Sequence, residues 1–331
     1  MMLKSSGGAG WIIPQSRELL NQGARGVQLF FILSAYSLCL TNGRHREFDK
    51  PWVSFFLARV FRLYPMWIFA NLIHFLIYRN GSLFQSLTFV FGLNRYETPN
   101  PEIIIGSWSL FAEICFYISF PFLIKLANYP KILVLVFLIS ILARPIWIKA
   151  ALNIGISDDN SFIGLFPLSN FYAFVAGVII FVLQDRSSGY RFFKISRPKM
   201  LEMLLFGWLV VNLFTGVDQL YIVLYLIAFL SLFLGTNHST NRFYSLLSKP
   251  LIVLGKYSYT IYLFEFLALD LLIRYLPVET FANFPIDVQI ILFLPAYLLT
   301  VWAIGFVGYR FIEIPGIRLG KRISNVILSR N

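Results

Sequence analysis

The apolar residues of this chain are gathered into long, separate runs, and that blocking limits the fold more than any single motif does. About nine runs come near the roughly 20 residues that cross a bilayer as a helix. They cover 26–41, 62–79, 107–127, 131–149, 162–183, 200–216, 219–235, 256–275 and 288–312. The first, sixth and seventh are short. The run Leu83 to Leu93 is too short to span and reads as an interfacial or re-entrant piece. Of 331 residues, 58% are hydrophobic and 18% aromatic, while only 13% are charged. Soluble domains carry about twice that charge. The expected fold is therefore all-α, a polytopic transmembrane helical bundle with no room for a separate soluble domain.

The loops alternate in charge, and this orients the chain. Arg44, Arg46 and Lys50 lie between the first two spans, followed by Arg59 and Arg62. Lys125 and Lys131 flank a tight turn between the third and fourth. Arg186, Arg191, Lys194, Arg197 and Lys199 follow the fifth; Arg242, Lys249 and Lys256 follow the seventh; Arg318, Lys321, Arg322 and Arg330 follow the ninth. The intervening loops hold Glu97, Glu102, Asp158, Asp159, Asp218, Glu279 and Asp287, with lysine and arginine sparse. The basic loops and the C-terminus are expected in the cytoplasm. The net charge of +12 then faces the anionic inner surface of a membrane. Nucleic acid is excluded as a partner, because the cations are scattered over separate loops and form no single stripe.

Nine spans with a cytoplasmic C-terminus place the N-terminus outside. Residues 1–25 carry Lys4, Arg17 and Arg25 against Glu18 and show no signal-peptide core. The expectation is that one N-terminal span is missing, through a late start codon, a truncation or a frameshift. Cys39 and Cys115 both fall in apolar runs and form no disulfide framework or metal spacing. His45, His74 and His238 stand singly. Phosphate-loop, nucleophile-elbow and HExxH patterns do not occur, nor do inverted repeats of the transporter kind. No metal or prosthetic group is expected.

Three clusters of polar residues interrupt the apolar runs. Arg59 and Arg62, in Arg59-Val60-Phe61-Arg62-Leu63-Tyr64-Pro65, sit at the mouth of the run Met66 to Tyr78 and share one helical face. Two cations at the edge of hydrocarbon either snorkel to headgroup phosphates or form an anion site reached from one side. In the third run, Ser109, Glu113 and Tyr117 are four apart, on one face of a helix. An acid there should face the bundle or a watery cavity. It either ties helices together by hydrogen bonds or moves a proton. The eighth run offers a second polar face, Ser258, Tyr262 and Glu265. Asp270 and Arg274, four apart near its outer end, are expected simply to pair.

With these segments the chain resembles acyltransferase family 3, integral membrane proteins that O-acylate cell-surface carbohydrates. Gly26 to Ala35 (Gly-Val-Gln-Leu-Phe-Phe-Ile-Leu-Ser-Ala) is similar to the family's second helix. Arg59 to Pro65 matches its Arg-x-x-Arg motif, opening the third. Trp108-Ser109-Leu110-Phe111-Ala112-Glu113, followed by Phe116-Tyr117, matches its Trp-Ser-Leu-x-x-Glu-x-x-x-Tyr signature. Ser258-Tyr259-Thr260-Ile261-Tyr262-Leu263 resembles the start of its ninth helix, and Phe311 to Gly316 its closing Glu-x-Pro. The motifs stand in family order from residue 26 to residue 322. The likeness divides the chain into a non-family or translocated segment at 1–25, a membrane domain at 26–322 and a cytoplasmic tail at 323–331.

There are also departures. The family's first helix carries an arginine or lysine and, about three turns later, the histidine taken to be catalytic; no segment here matches it. Gln28 stands where many relatives have Asp, and Glu265 where many have His. The family's ten helices less that first one give the nine runs drawn from hydropathy.

The resemblance implies an acyltransferase that moves groups other than amino-acyl groups. The donor would be cytosolic acyl-CoA, acetyl-CoA in particular, held at its phosphates by Arg59 and Arg62. The acceptor would be a cell-surface or lipid-linked carbohydrate on the outer face. Glu113 would take part in proton transfer. Trp108, Ser109, Tyr117, Tyr259, Tyr262 and Glu265 complete the set of motif residues. The setting would be membrane lipid, in a bacterial inner membrane. Two other classes remain open: a lipid or sugar transporter, and a degenerate, non-catalytic scaffold.

Overall fold

The computed structural model describes residues 26–42, 50–78, 104, 108–155, 164, 166–184, 242–275 and 286–328. The expected sixth and seventh spans, the 83–93 piece and residues 1–25 lie outside these. Among the described residues there are eight α-helices, one π-helical turn and no strand. The helices are α1 (Gly26–Thr41), α2 (Pro51–Tyr78), α3 (Trp108–Leu126), α4 (Pro130–Asn153), α5 (Pro167–Gln184), α6 (Arg242–Tyr275), α7 (Ile286–Gly308) and α8 (Ile314–Leu328). The π turn, Tyr309–Glu313, joins α7 to α8.

Pro51–Tyr78, Trp108–Leu126, Pro130–Asn153 and Leu292–Ile327 are long and apolar enough to cross a membrane, and Val27–Thr41 and Pro167–Val182 are shorter apolar helices. Rows of large apolar side chains point outward: Ile68, Leu72 and Leu76 on α2, Ile132, Leu135 and Ile139 on α4, Leu292, Leu298 and Leu299 on α7. Water would penalise such faces, whereas lipid tails accept them. The protein is an all-α, integral membrane helical protein.

α5 forms the centre of one half. It packs against α1, α3 and α4, and Tyr172 to Ile180 are buried without interruption. Phe174 stacks between Phe31 of α1, at 4.4 Å, and Phe116 of α3, at 4.3 Å. Small residues let the backbones meet. A Cβ built on Gly177 would lie 2.3 Å from the Ile32 carbonyl oxygen and 2.8 Å from the Ala35 Cβ. Gly177→Ala should therefore push α1 off α5 and destabilise the protein by about 1–3 kcal/mol, read as a lowered Tm in detergent. Gly255→Ala is the control, because nothing lies within 4 Å of a Cβ there. Equal Tm values for the two variants would contradict this packing.

The other half joins α2, α6, α7 and α8. Tyr259 meets the Leu63 carbonyl, Phe264 meets Phe69, and Asp270 meets Tyr78, so α2 and α6 rise side by side in the same direction. α8 packs along the lower part of α2. Gly316 lies over the Phe61 carbonyl oxygen, where a Cβ would sit 2.6 Å away. Pro65, inside α2, lacks the N–H that would have bonded that carbonyl. The proline thus leaves a carbonyl exposed, and the glycine covers it.

Three helices run past the ends drawn from hydropathy. α2 begins at Pro51 instead of 62, so Arg59 and Arg62 lie inside a helix rather than at its mouth. Proline suits a first helical position, and Trp52, Ser54 and Phe55 give the lower turns a face to bury. α6 begins at Arg242, ahead of the expected 256, and the ninth run continues through the π turn to Leu328 instead of ending at 312. In each case the apolar run marks where lipid begins, not where the helix does. At 28 residues, α2 is about 42 Å long, some 12 Å more than a hydrocarbon core. The turn at Ala127–Tyr129 between α3 and α4 falls where it was expected.

Candidate active site

Glu113 is the centre of the polar interior. It stands in the second turn of α3 with Ser109 one turn before and Tyr117 one turn after, and all three are buried. Its Oε1 accepts hydrogen bonds from Ser34 Oγ of α1, at 2.8 Å, and from the Tyr117 hydroxyl. The i, i+4 spacing accounts for the Tyr117 contact. The Ser34 contact depends on the close approach of α1 to the α3–α5 pair.

Arg59 points toward this acid. Its guanidinium lies 5.5 Å from the centre of the Phe55 ring and 6.0 Å from that of Tyr117, a cation held over aromatic faces. Its Nε is buried and makes no hydrogen bond. Tyr117, Arg62 and Glu113 all act on it electrostatically. An arginine that snorkels would point away from the bundle; Arg59 points in. Arg62, one turn on, is exposed, so the two arginines do not share one environment.

α6 and the π turn close the same region. The Tyr259 hydroxyl donates to the Leu63 carbonyl at 2.9 Å, and Thr260 donates to the Glu313 carboxylate. Tyr259 lies within electrostatic reach of Glu113, Glu313, Tyr117 and Arg62. One polar region thus draws on α1, α2, α3, α6 and the π turn. It can receive an anion at a cation, and it can hold a hydroxyl against a carboxylate.

The remaining motif residues are placed apart from it. Trp108 meets the edge of Phe31 at 6.0 Å, and Tyr262 stacks on Phe30 at 6.5 Å. Ser258 Oγ bonds back to the Gly255 carbonyl. Glu265 is half-buried and lies near Tyr297 of α7. The α6 side chains that enter this polar region are therefore Tyr259, within electrostatic reach of Glu113, and Thr260, bonded to Glu313, rather than the expected face of Ser258, Tyr262 and Glu265. Asp270 pairs with Arg274 at 2.9 Å, as its spacing predicts, and also accepts from Tyr78 at 2.8 Å. His74 Nδ1 lies 2.8 Å from the Ala70 carbonyl; His45 and His238 lie outside the described residues. No group of three metal-ligating side chains occurs among the described residues.

Spacing alone missed Ser34, Thr260 and Glu313 as members of this region. All three sit inside family motifs of the sequence, and the signal for Glu313 is an acid set among Phe311, Ile312 and Ile314. No curated protein and no solved structure matches the chain. The family model described as an acyltransferase domain matches residues 2–309. With that match over most of its length, and with the family's arginine, glutamate and tyrosine side chains meeting in one buried region, the chain belongs to acyltransferase family 3, a family of membrane acyltransferases.

Proposed function

We propose that this protein transfers an acyl group, acetyl in particular, from cytosolic acyl-CoA to a hydroxyl of an extracytoplasmic or lipid-linked carbohydrate. The observation that carries the proposal is Arg59, turned into the bundle beside an acid that binds two hydroxyls. A thioester donor brings anionic phosphates, and the acceptor brings a hydroxyl. The region has a group suited to each.

Charge supports the sidedness. Lys50 at the foot of α2, Lys125 and Lys131 at the α3–α4 turn, and Arg318, Lys321 and Arg322 on α8 are gathered at one end of the bundle, most of them exposed. Arg144 and Lys149 stand toward the other end, with Arg274 paired there to Asp270. By the positive-inside rule this asymmetry supports a cytoplasmic first end and a cytoplasmic C-terminus, in a bacterial inner membrane in this reading. Arg59 lies about 20 residues below the top of α2, close to the cytoplasmic border of the hydrocarbon.

In this reading Arg59 and Arg62 bind the donor's phosphates by charge-assisted hydrogen bonds. The acceptor oxygen attacks the thioester carbonyl as its proton passes to Glu113. Collapse of the tetrahedral intermediate breaks the carbon–sulfur bond. The proton returns to the departing thiolate, giving the ester and free CoA. Ser34 and Tyr117 hold the carboxylate in place between the two steps. The test is transfer itself: label from the acyl group of acyl-CoA should appear on carbohydrate in membranes that contain the protein. Unlabelled carbohydrate would refute the proposal.

A further inference from the structure

Glu313 is a buried acid that the proposed reaction leaves unused. It is 2% exposed and ends the π turn Tyr309–Glu313. A π turn inserts a residue into a helix and rotates the next turns about the axis, and such turns recur at functional sites. Here glycines bracket it. A Cβ on Gly308 would lie 2.5 Å from Thr260 Cγ2 and 2.7 Å from Met66 Cε, and one on Gly316 would lie 2.6 Å from the Phe61 carbonyl oxygen. The turn is thus pressed against α6 on one side and against the arginine turn of α2 on the other.

The charges in that seam are interlinked. Arg62 acts on Glu313, and both act on Tyr259. The Tyr259 hydroxyl is committed to the carbonyl of Leu63, the residue after Arg62. Thr260 holds the Glu313 carboxylate. A hydrogen bond from Thr260 would need only an amide oxygen; burying a carboxylate for packing alone is unfavourable. We propose that Glu313 is a positioning residue for Arg62: its charge draws the guanidinium toward the α2–α6 seam and fixes the direction from which the anionic donor is received. The inference rests on the reading of Arg62 as a donor-phosphate ligand.

The experiment measures donor KM and kcat for Glu313→Gln, Glu313→Asp, Arg62→Ala and the Glu313→Gln, Arg62→Ala double variant. Glutamine keeps the size and the acceptor for Thr260, so the π turn is retained while the charge is lost. Glu313→Gln should raise donor KM about tenfold, the scale of one charge–charge interaction in a partly buried site, and leave kcat within about twofold. Glu313→Asp should recover part of that. In the Arg62→Ala background Glu313→Gln should add nothing, because the partner through which it acts is gone. Full additivity, or a loss confined to kcat, would overturn the inference. If Arg62→Ala raises donor KM and Glu313→Gln does not, the inference alone fails. If Arg62→Ala leaves donor KM unchanged, the donor reading itself is wrong.

Discussion

Arg59→Ala is expected to weaken acyl-CoA binding by about ten- to a hundredfold. That is the range for losing hydrogen bonds to a charged group, about 1.5–3 kcal/mol. The guanidinium already lies inside the bundle, over Phe55 and Tyr117, with a buried Nε that no protein group satisfies. A ligand phosphate would meet it without a large side-chain movement. The substitution removes a half-buried cation and breaks no ion pair among the described residues, so the protein should still insert and fold. Arg59→Lys should restore only part of the affinity. Lysine keeps the charge but lacks the planar, two-pronged donor. Binding of a labelled acyl-CoA to protein in detergent or nanodiscs measures this directly. Unchanged affinity in Arg59→Ala, with a normal Tm, would return the arginine to a structural role.

Glu113→Gln should lower the rate of transfer by about a hundred- to ten-thousandfold, the usual contribution of a positioned proton acceptor. Glutamine matches glutamate in shape, and its amide oxygen can still accept from Ser34 and Tyr117. What disappears is the ability to take up a proton. Donor affinity should change little, since the phosphate ligands in the proposed reaction are the arginines of α2. The variant should also accumulate to normal levels. Glu113→Ala is expected to accumulate poorly, because it leaves the Ser34 hydroxyl and the buried Tyr117 hydroxyl without their acceptor. Parental rates in Glu113→Gln, combined with poor accumulation of Glu113→Ala, would assign Glu113 to holding α1 against α3.

The motif residues that proved to lie together are those fixed by helical spacing. Ser109, Glu113 and Tyr117 share a face because they are four apart, and all three are buried. Asp270 and Arg274 pair for the same reason. What spacing cannot supply is the rotation of one helix against another. The eighth run could have presented Ser258, Tyr262 and Glu265 to the site; the packing of α6 on α2 presents Tyr259 and Thr260 instead. Ser34 reaches Glu113 because Gly177 lets α1 settle on α5, a tertiary event with no local signature. Glu313 turns inward through a π turn, and a hydropathy profile carries no sign of an extra residue in a helix. Helix ends lie beyond their apolar runs for a related reason. Hydropathy records contact with lipid, while α2 opens at Pro51, ahead of its apolar run, and the π turn Tyr309–Glu313 carries the last run on into α8, past residue 312.

The most direct measurement is sided transfer in membrane vesicles from cells that make the protein. Acyl-CoA carrying a labelled acyl group is supplied either to the face bearing α8 or to the opposite face, and carbohydrate is then recovered and counted. The account predicts labelled carbohydrate when the donor reaches the α8 face, and none when it is confined to the other side. It further predicts that the signal falls in Arg59→Ala and is lost in Glu113→Gln. Labelling from the opposite face alone, or carbohydrate that stays unlabelled from either side, would contradict it.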